Sequence, residues 1–402
     1  MPDSPPHGPQ RLKVLVFSSL YPNAAMPNFG IFVENRLRQL LATGQVDARV
    51  VAPVPWFPSR HPRFGRYARW ASVPAEEARH GILVRHPRYA LPPKIGMLAH
   101  PFLMAVGALA EVRGLNFDFD VIDAHYYYPD GVAAILLGNW FNRPVVITAR
   151  GTDLNVYPRQ SAGVRRLMAW AARRASASIA VSKALADLLI GIGAPEERVI
   201  VLPNGVDLDL FRPLDHVPTR QSRDLRSHVI LSVGNLIPLK GHDLVIEALR
   251  RLPEHRLLIV GEGPERGSLE RMAEKLHVSS RVTLLGPLPH GRMPAVYGAA
   301  DVLILASERE GWPNVLLEAL ACGTPVVATN VGGIPEIVSS HEAGRILPER
   351  SPAAIVGAVM ALLADPPSRA AVRRHAEAFS WDATTQGQLR IFRSALVRQA
   401  TC

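Results

Sequence analysis

Cysteine is scarce: two occur in 402 residues, Cys322 and the terminal Cys402. A pair so placed offers no disulfide framework and no metal-ligand spacing, which suits a reducing compartment. Long apolar runs are missing too. None approaches the roughly 18–20 residues that cross a bilayer; PFLMAVGALA (101–110) is too short and reads as a buried helix. The first residues lack a basic segment followed by an apolar one, so no signal peptide is expected and the chain reads as cytoplasmic. Disorder is expected only at the N-terminal MPDSPPHGPQ, because 48% hydrophobic and 20% charged residues make an ordinary globular balance.

Acidic residues are in deficit. The net charge is +10, and nearly all of the excess falls before Gly205. A basic half-molecule favours an acidic partner: anionic lipid head groups, a phosphate-bearing substrate or nucleic acid. No RNA- or DNA-binding motif is visible, so nucleic acid is not expected.

Single cores stop growing near ~250–300 residues, which predicts two domains. Short apolar runs alternate with amphipathic helical stretches. In the first half the runs are 12–17, 47–53, 120–125, 144–149 and 177–182, with helices at 32–44, 131–141 and 163–175. The cycle restarts after PNGVD (203–207), with runs at 228–234, 256–263, 281–286, 301–306 and 325–329 and helices near 242–251, 265–276, 314–322 and 353–363. This alternation predicts α/β layering around parallel sheets. The aperiodic 208–224 is the expected linker. The stretch 53–101, rich in Pro, Arg and aromatics, carries few strand signals and is too long for a simple loop.

The most informative segment is SEREGWPNVLLEALACGTPVVAT (307–329). Asn314 is placed to cap a helix over 315–322 that Gly323 stops. Glu310 then lies in the loop before the helix and Glu318 on its second turn. The free N–H groups of a first helical turn stabilise an anion, and a diphosphate fits there. Such a site, outside the carboxyl end of a strand, is where open α/β sheets bind ligands. Glu310 is suited to sugar hydroxyls and Glu318 to a ribose diol. Two surface carboxylates around an ordinary helix are the plain alternative; the Gly311-Trp312-Pro313-Asn314 loop and the Gly323-Thr324-Pro325 stop favour a ligand.

On these residues the chain resembles glycosyltransferase family 4, whose E-x7-E pattern matches Glu310 and Glu318. The resemblance runs from about Leu12 to near the end. It implies the GT-B fold, with two Rossmann-like domains facing each other across a cleft and a C-terminal helix crossing back to the N-domain. The implied segments are an acceptor-binding domain at 11–205, a nucleotide-sugar-binding domain at 206–378 and the crossover helix at 379–402, with Trp381 as a packing anchor. It also implies transfer of a hexose with retention of anomeric configuration from a UDP- or GDP-sugar.

Further donor-binding positions follow from the resemblance. SVGNLIPLKGHD (232–243) matches a strand and loop whose lysine, here Lys240, contacts donor phosphate; Asn235 stands where arginine is commoner. GEGPER (261–266) supplies Glu262 and glycines that allow close backbone approach. LGPLPH (285–290) matches the stretch that reads the nucleobase, with Leu288 the candidate or a plain packing residue. Gly311, Trp312, Pro313, Asn314 and Val315 complete the donor loop. Gly30 either approaches donor phosphate or acceptor, or simply starts a helix.

The catalytic candidates in the first half are His125, at the end of a strand and implied to lie near the reacting sugar, and Asp153, which either contacts sugar or acceptor or closes an Asx-type turn. Arg150 replaces the histidine of an H-G-x-D/E loop. It binds an acceptor phosphate or is a surface arginine.

In this reading the helix amides and Lys240 stabilise the departing diphosphate, where charge develops in the transition state. No dedicated base is evident, which suits proton transfer to the leaving phosphate. No metal-binding D-x-D cluster is visible, so no metal or other cofactor is expected. Three rivals remain: a sugar-nucleotide epimerase of the same architecture, a glycoside hydrolase using the two glutamates, and a non-catalytic binding protein. Separately, Arg60, Arg63, Arg66, Arg69 and Trp70 either dock on an anionic membrane and meet a lipid-linked acceptor, or form a solvated basic loop. With docking, the expected place is the inner face of the membrane and the product a surface polysaccharide or glycolipid.

Overall fold

A computed structural model describes residues 11–92, 96–213 and 228–400. MPDSPPHGPQ, the linker from residue 214 onward and Cys402 lie outside them. The chain divides into two compact units, residues 1–203 with 384–402 and residues 204–383. The first division falls two residues before the boundary read from the sequence.

The first unit is built on β1 (Leu12–Phe17), β2 (Val46–Val51), β3 (Val54–Pro55), β4 (Glu76–Arg79), β5 (Ile82–Arg85), β6 (Arg88–Tyr89), β7 (Val121–His125), β8 (Val145–Ala149), β9 (Ala177–Ala180) and β10 (Val199–Val201). Eight of these form a sheet in the order β10-β9-β8-β7-β1-β2-β5-β4, and β3 pairs with β6. Every pairing is parallel except β4 with β5. Burial on both faces explains the composition: β7, β8 and β9 are buried at every position.

The second unit carries β11 (His228–Val233), β12 (His255–Val260), β13 (Val282–Gly286), β14 (Val302–Leu305), β15 (Val326–Thr329) and β16 (Gly344–Leu347). All are parallel, in the order β13-β12-β11-β14-β15-β16. Counted from the first strand this is the dinucleotide-fold order 3-2-1-4-5-6, and the strand order reverses at β11/β14. The first unit reverses likewise at β1/β7. At such a point neighbouring loops leave in opposite directions and open a crevice at the carboxyl ends of the strands.

The stretch 53–101 is more ordered than its composition predicts. It holds β3 to β6, the helix Arg66–Ser72 and the start of the helix His100–Arg113. The β4–β5 hairpin turns on His80 and Gly81, with φ of 49° and 77°. A two-residue turn of the primed type needs both residues in the left-handed region, and His-Gly signals it more weakly than Asn-Gly. Two further strands have no counterpart among the expected runs: β10 has only three residues, and β16 opens on Gly344-Arg345, which breaks an apolar pattern.

The C-terminal helix Trp381–Ala400 delivers Leu389, Ile391, Phe392 and Ala395 into the core of the first unit, beside Val14, Val16 and Leu37. Among the described residues no single helix is long and apolar enough to cross a membrane.

Loops at the β11 end are held by close backbone contacts. Gly261 has φ +147°, and a Cβ there would sit 1.8 Å from the Gly234 carbonyl oxygen. Gly261→Ala is expected to cost at least about 2 kcal/mol. Gly357 lies exposed inside the helix Pro352–Ala364, with nothing within 4 Å of an added Cβ. Gly357→Ala should therefore stabilise by about 0.5–1 kcal/mol. Chemical denaturation of both variants checks the opposite signs.

Candidate active site

Two clusters of the expected residues form, one in each unit. In the second, the chain leaves β14 through the loop 306–313 and enters the helix Asn314–Ala321. Pro313, not Asn314, occupies the cap position, and no side chain caps this end. Asn314 is the first helical residue, and its Oδ1 accepts from Asn204 Nδ2 at 3.3 Å. The expected cap is thus corrected: proline lacks a side-chain acceptor, and the asparagine is turned to Asn204.

Lys240 Nζ meets Glu310 Oε1 at 2.6 Å. Two glycines permit this approach. Gly241 has φ +69°, and a Cβ there would lie 2.2 Å from the Ala306 carbonyl oxygen; at Gly332 it would lie 2.0 Å from that of Glu310. Glu318 is held differently. Its Oε2 accepts from the buried Tyr297 hydroxyl at 2.7 Å, and its Oε1 faces His290 Nε2 at 3.3 Å. Phe211 packs edge-on to His290 at 5.0 Å. Asn235 and Glu262 are exposed, and Leu288 is half-buried.

Trp312 is 7% exposed, and its Nε1 donates to the Asn204 carbonyl at 3.0 Å. Its ring is an anchor inside the unit. Gly311 and Pro313 are buried beside it, and Val315 is half-buried. Tyr297 and His290 were missed. His290 lies within the quoted LGPLPH, whereas nothing local marks Tyr297.

In the first unit His125 ends β7 and is buried. Its Nε2 faces Asp123 Oδ2 at 3.2 Å, and Arg150 Nη2 approaches its Nδ1 at 2.6 Å. Burial pushes the imidazole down to about 4 against the pull of Asp123, and Arg150 adds to the fall. The ring is therefore neutral near pH 7. Arg150 also lies over the Phe32 ring at 5.1 Å and is only partly covered, so it is no free surface arginine.

Asp153 is turned inward. It is fully buried and accepts from the backbone N–H groups of Tyr127 at 2.7 Å, Gly151 at 2.7 Å and Arg150 at 3.1 Å. It closes the turn after β8, which replaces its expected catalytic place. Gly30 has φ +71°, and a Cβ there would sit 2.3 Å from the Leu20 carbonyl oxygen. Packing alone requires this glycine at the start of the helix Ile31–Ala42.

The basic segment is apart from both clusters in the chain. Arg60, Arg63, Arg66 and Arg69 are exposed. Arg63 covers Phe64, and Arg66 covers Tyr67 and Trp70, in an aromatic group that includes Phe57. Among the described residues no group of three His, Cys, Asp or Glu is arranged to hold a metal ion.

Comparison with known proteins places the chain in a family. Residues 67–210 match the model of Glycosyltransferase Family 4, and residues 218–379 that of Glycosyl transferases group 1. TuaC of Bacillus subtilis, a glycosyltransferase named for teichuronic acid biosynthesis, is 30% identical over 349 residues, covering 85% of this chain and 87% of its own. The D-inositol 3-phosphate glycosyltransferase of Acidothermus cellulolyticus is 35% identical over 315 residues, covering 70% and 69%. Among solved structures, sucrose-phosphate synthase of Thermosynechococcus elongatus superposes with a TM-score of 0.79 at 20% identity, over 96% of this chain and 98% of its own. Anabaena HepE, solved with UDP and glucose, gives 0.71 at 22%, over 94% and 99%. The fold is GT-B, and the protein is a glycosyltransferase. The chain belongs to glycosyltransferase family 4.

One buried carboxylate escaped the sequence reading. Asp130 accepts from the Ser19 backbone N–H and, at 3.0 Å, from the Ser19 hydroxyl, so it holds the loop after β1. Burial pushes it up to about 7, outweighing the Ser19 contacts that favour its charged form. The unfolded chain releases this proton near 3.8. The stability that Asp130 contributes is thus full below that value and lost as pH rises through about 7. Asp130→Asn escapes the loss. Relative to the parent it should gain up to about 4 kcal/mol between pH 4 and 7, then level off. Urea denaturation at pH 4.5 and 7.5 measures this; an equal difference at both pH values refutes it.

Proposed function

We propose that this glycosyltransferase takes a hexose from a nucleoside-diphosphate sugar and passes it to an acceptor with retention of anomeric configuration. The observation that carries the reading is the pairing of Lys240 with Glu310 at 2.6 Å, one loop before the uncapped start of the helix Asn314–Ala321. A diphosphate presented to that helix start meets backbone N–H groups and the lysine together. Both are fixed before the reaction, so they stabilise leaving-group charge as it develops, without reorganisation. Released from the lysine, Glu310 accepts hydrogen bonds from the hexose hydroxyls. Glu318, pre-oriented by Tyr297 and His290, accepts from the ribose diol. The exposed backbone around Leu288 suits the nucleobase.

In this mechanism the acceptor attacks from the side of the departing diphosphate, and a phosphate oxygen takes its proton. The lysine and the helix supply the positive charge, so the proposal requires no metal ion. HepE, solved with UDP-glucose, favours a UDP-sugar as the first donor to test. Arg150, half-covered at the end of β8, is suited to an anionic group on the acceptor. The relative that acts on D-inositol 3-phosphate supports an acceptor of that kind.

The donor site is tested by calorimetric titration with UDP- and GDP-sugars. Lys240→Ala and Glu318→Ala should each weaken donor binding by about 10–100-fold, equivalent to about 1.4–2.7 kcal/mol. Undiminished affinity in both variants would sink the assignment. Product analysis by NMR separates the rivals. Retained configuration on an acceptor supports transfer. A new sugar nucleotide formed without acceptor favours the epimerase, and cleavage of a plain glycoside favours the hydrolase.

We also infer a place at the inner face of a membrane, in synthesis of a surface polysaccharide or glycolipid. Support comes from the exposed Arg60, Arg63, Arg66 and Arg69 on their aromatic group, and from exposed apolar side chains of the first unit: Trp56 at 60%, Phe102 at 44% and Val106 at 63%. Cations over aromatic and aliphatic side chains match an anionic lipid surface. In vesicle co-sedimentation, anionic liposomes should retain the protein several-fold better than neutral ones, and Arg63→Glu with Arg66→Glu should abolish the difference. Equal recovery on both vesicle types removes the inference.

A further inference from the structure

A chain of buried polar contacts runs from the C-terminal helix to His125. Arg36, on the helix Ile31–Ala42, donates from Nε to Gln388 Oε1 at 2.6 Å and from Nη1 to the Leu202 carbonyl at 3.3 Å. Gln388 lies in the helix Trp381–Ala400 and is 0% exposed. Its Nε2 donates to Asp123 Oδ2 at 2.8 Å, the oxygen that faces His125 Nε2. Arg150 then closes on His125 Nδ1.

The donors and acceptors leave one consistent assignment. A guanidinium only donates, so the His125 Nδ1 facing Arg150 must accept. The neutral ring then carries its hydrogen on Nε2 and gives it to the Asp123 carboxylate. The Gln388 amide is fixed in the same way, because its oxygen faces a group that only donates and its nitrogen faces one that only accepts. Burial alone pushes the Asp123 carboxyl up, but His125, Arg36 and Arg150 outweigh it and hold the group below the usual carboxylate range. The carboxylate is thus an acceptor at neutral pH.

Packing does not account for these residues. The neighbours of Gln388 on the same helix, Leu389, Phe392 and Ala395, fill the core with apolar groups. Burying an arginine, an amide and a carboxylate costs more than apolar side chains of similar volume. The array does, however, orient one ring and, through it, one guanidinium.

We propose that Gln388 is a positioning residue for the transfer reaction: it fixes Asp123, and through Asp123 the tautomer and ring plane of His125, whose Nδ1 lone pair aims the Arg150 guanidinium. The proposal rests on the reading that His125 and Arg150 serve the transfer. Each link has a distinct job. Arg36 holds the amide, the amide holds the carboxylate, and the carboxylate selects which imidazole nitrogen accepts. Neither Gln388 nor Asp123 touches substrate in this arrangement.

The test uses the full-length protein with 15N-labelled histidine, the His125 signals being assigned by their loss in His125→Gln. At neutral pH the wild-type spectrum should show the Nε2–H tautomer; an Nδ1–H tautomer or a charged ring overturns the proposal. Gln388→Met should shift the His125 signals towards a mixed tautomer. It should also lower kcat for transfer by about tenfold while leaving donor KM within about twofold. Gln388→Glu keeps an acceptor for Arg36 but loses the amide donor to Asp123, and it should reproduce both effects. It also stands in if Gln388→Met does not fold. A folded variant with unchanged His125 signals, or with altered signals and unchanged kcat, overturns the positioning role. If the wild-type protein transfers no sugar from any nucleotide donor, the reading of the site fails, and that failure is visible before any variant is made.

Discussion

Parallel strands covered on both faces leave a chain few places to show polar groups. In both sheets the inner strands are buried along their length, and ladder hydrogen bonding is satisfied within the sheet. Chemistry is then confined to the loops at the carboxyl ends, next to the point where strand order reverses. Lys240, Glu310 and Arg150 follow strands in this way, and His125 ends one. Close backbone contacts at Gly241, Gly261 and Gly332 let these loops approach each other more tightly than any side chain would permit. Asp123 breaks the pattern, since it sits within a strand. Its charge is tolerated because His125 and Gln388 both reach it.

The two clusters solve different electrostatic problems. In the second unit the charges of Lys240 and Glu310 cancel at contact, and Glu318 leans on a phenol and an imidazole. This half-buried arrangement can exchange internal partners for those of a ligand at modest cost. In the first unit Arg36, Gln388, Asp123 and His125 are deeply buried and bonded one to the next, so they hold geometry instead of exchanging it. A group held by two partners is suited to orienting a neighbour.

Much of this was legible in the residues. The strand runs and the helix after Glu310 stand out because β-branched runs and 3.6-residue periodicity are local signals. The Glu310–Glu318 spacing pointed to the right helix for the same reason. Asn314 was misread because capping depends on where the chain enters, and Pro313 occupies that position. Asp153 was open between a sugar or acceptor contact and an Asx-type turn; two amides of its own turn, Arg150 and Gly151, and the distant amide of Tyr127 enclose it. The segment 53–101 concealed its hairpin, since four-residue strands joined by His-Gly give only a short alternation. Gln388 had no local mark at all: its partners Arg36 and Asp123 lie hundreds of residues away in the chain, and only folding brings them together.

Trp312 carries a consequence of a different kind. Of the six tryptophans it alone sits inside the Glu310–Asn314 loop, with its indole N–H committed to a backbone carbonyl and its ring shielded from water. Trp56 and Trp140, by contrast, stand largely in solvent. An indole so enclosed emits at shorter wavelength than an exposed one, and external quenchers reach it poorly. Trp381 is equally enclosed; once it is replaced, the loop contains its own optical reporter, and rearrangement of its backbone registers as a change of colour without any added label.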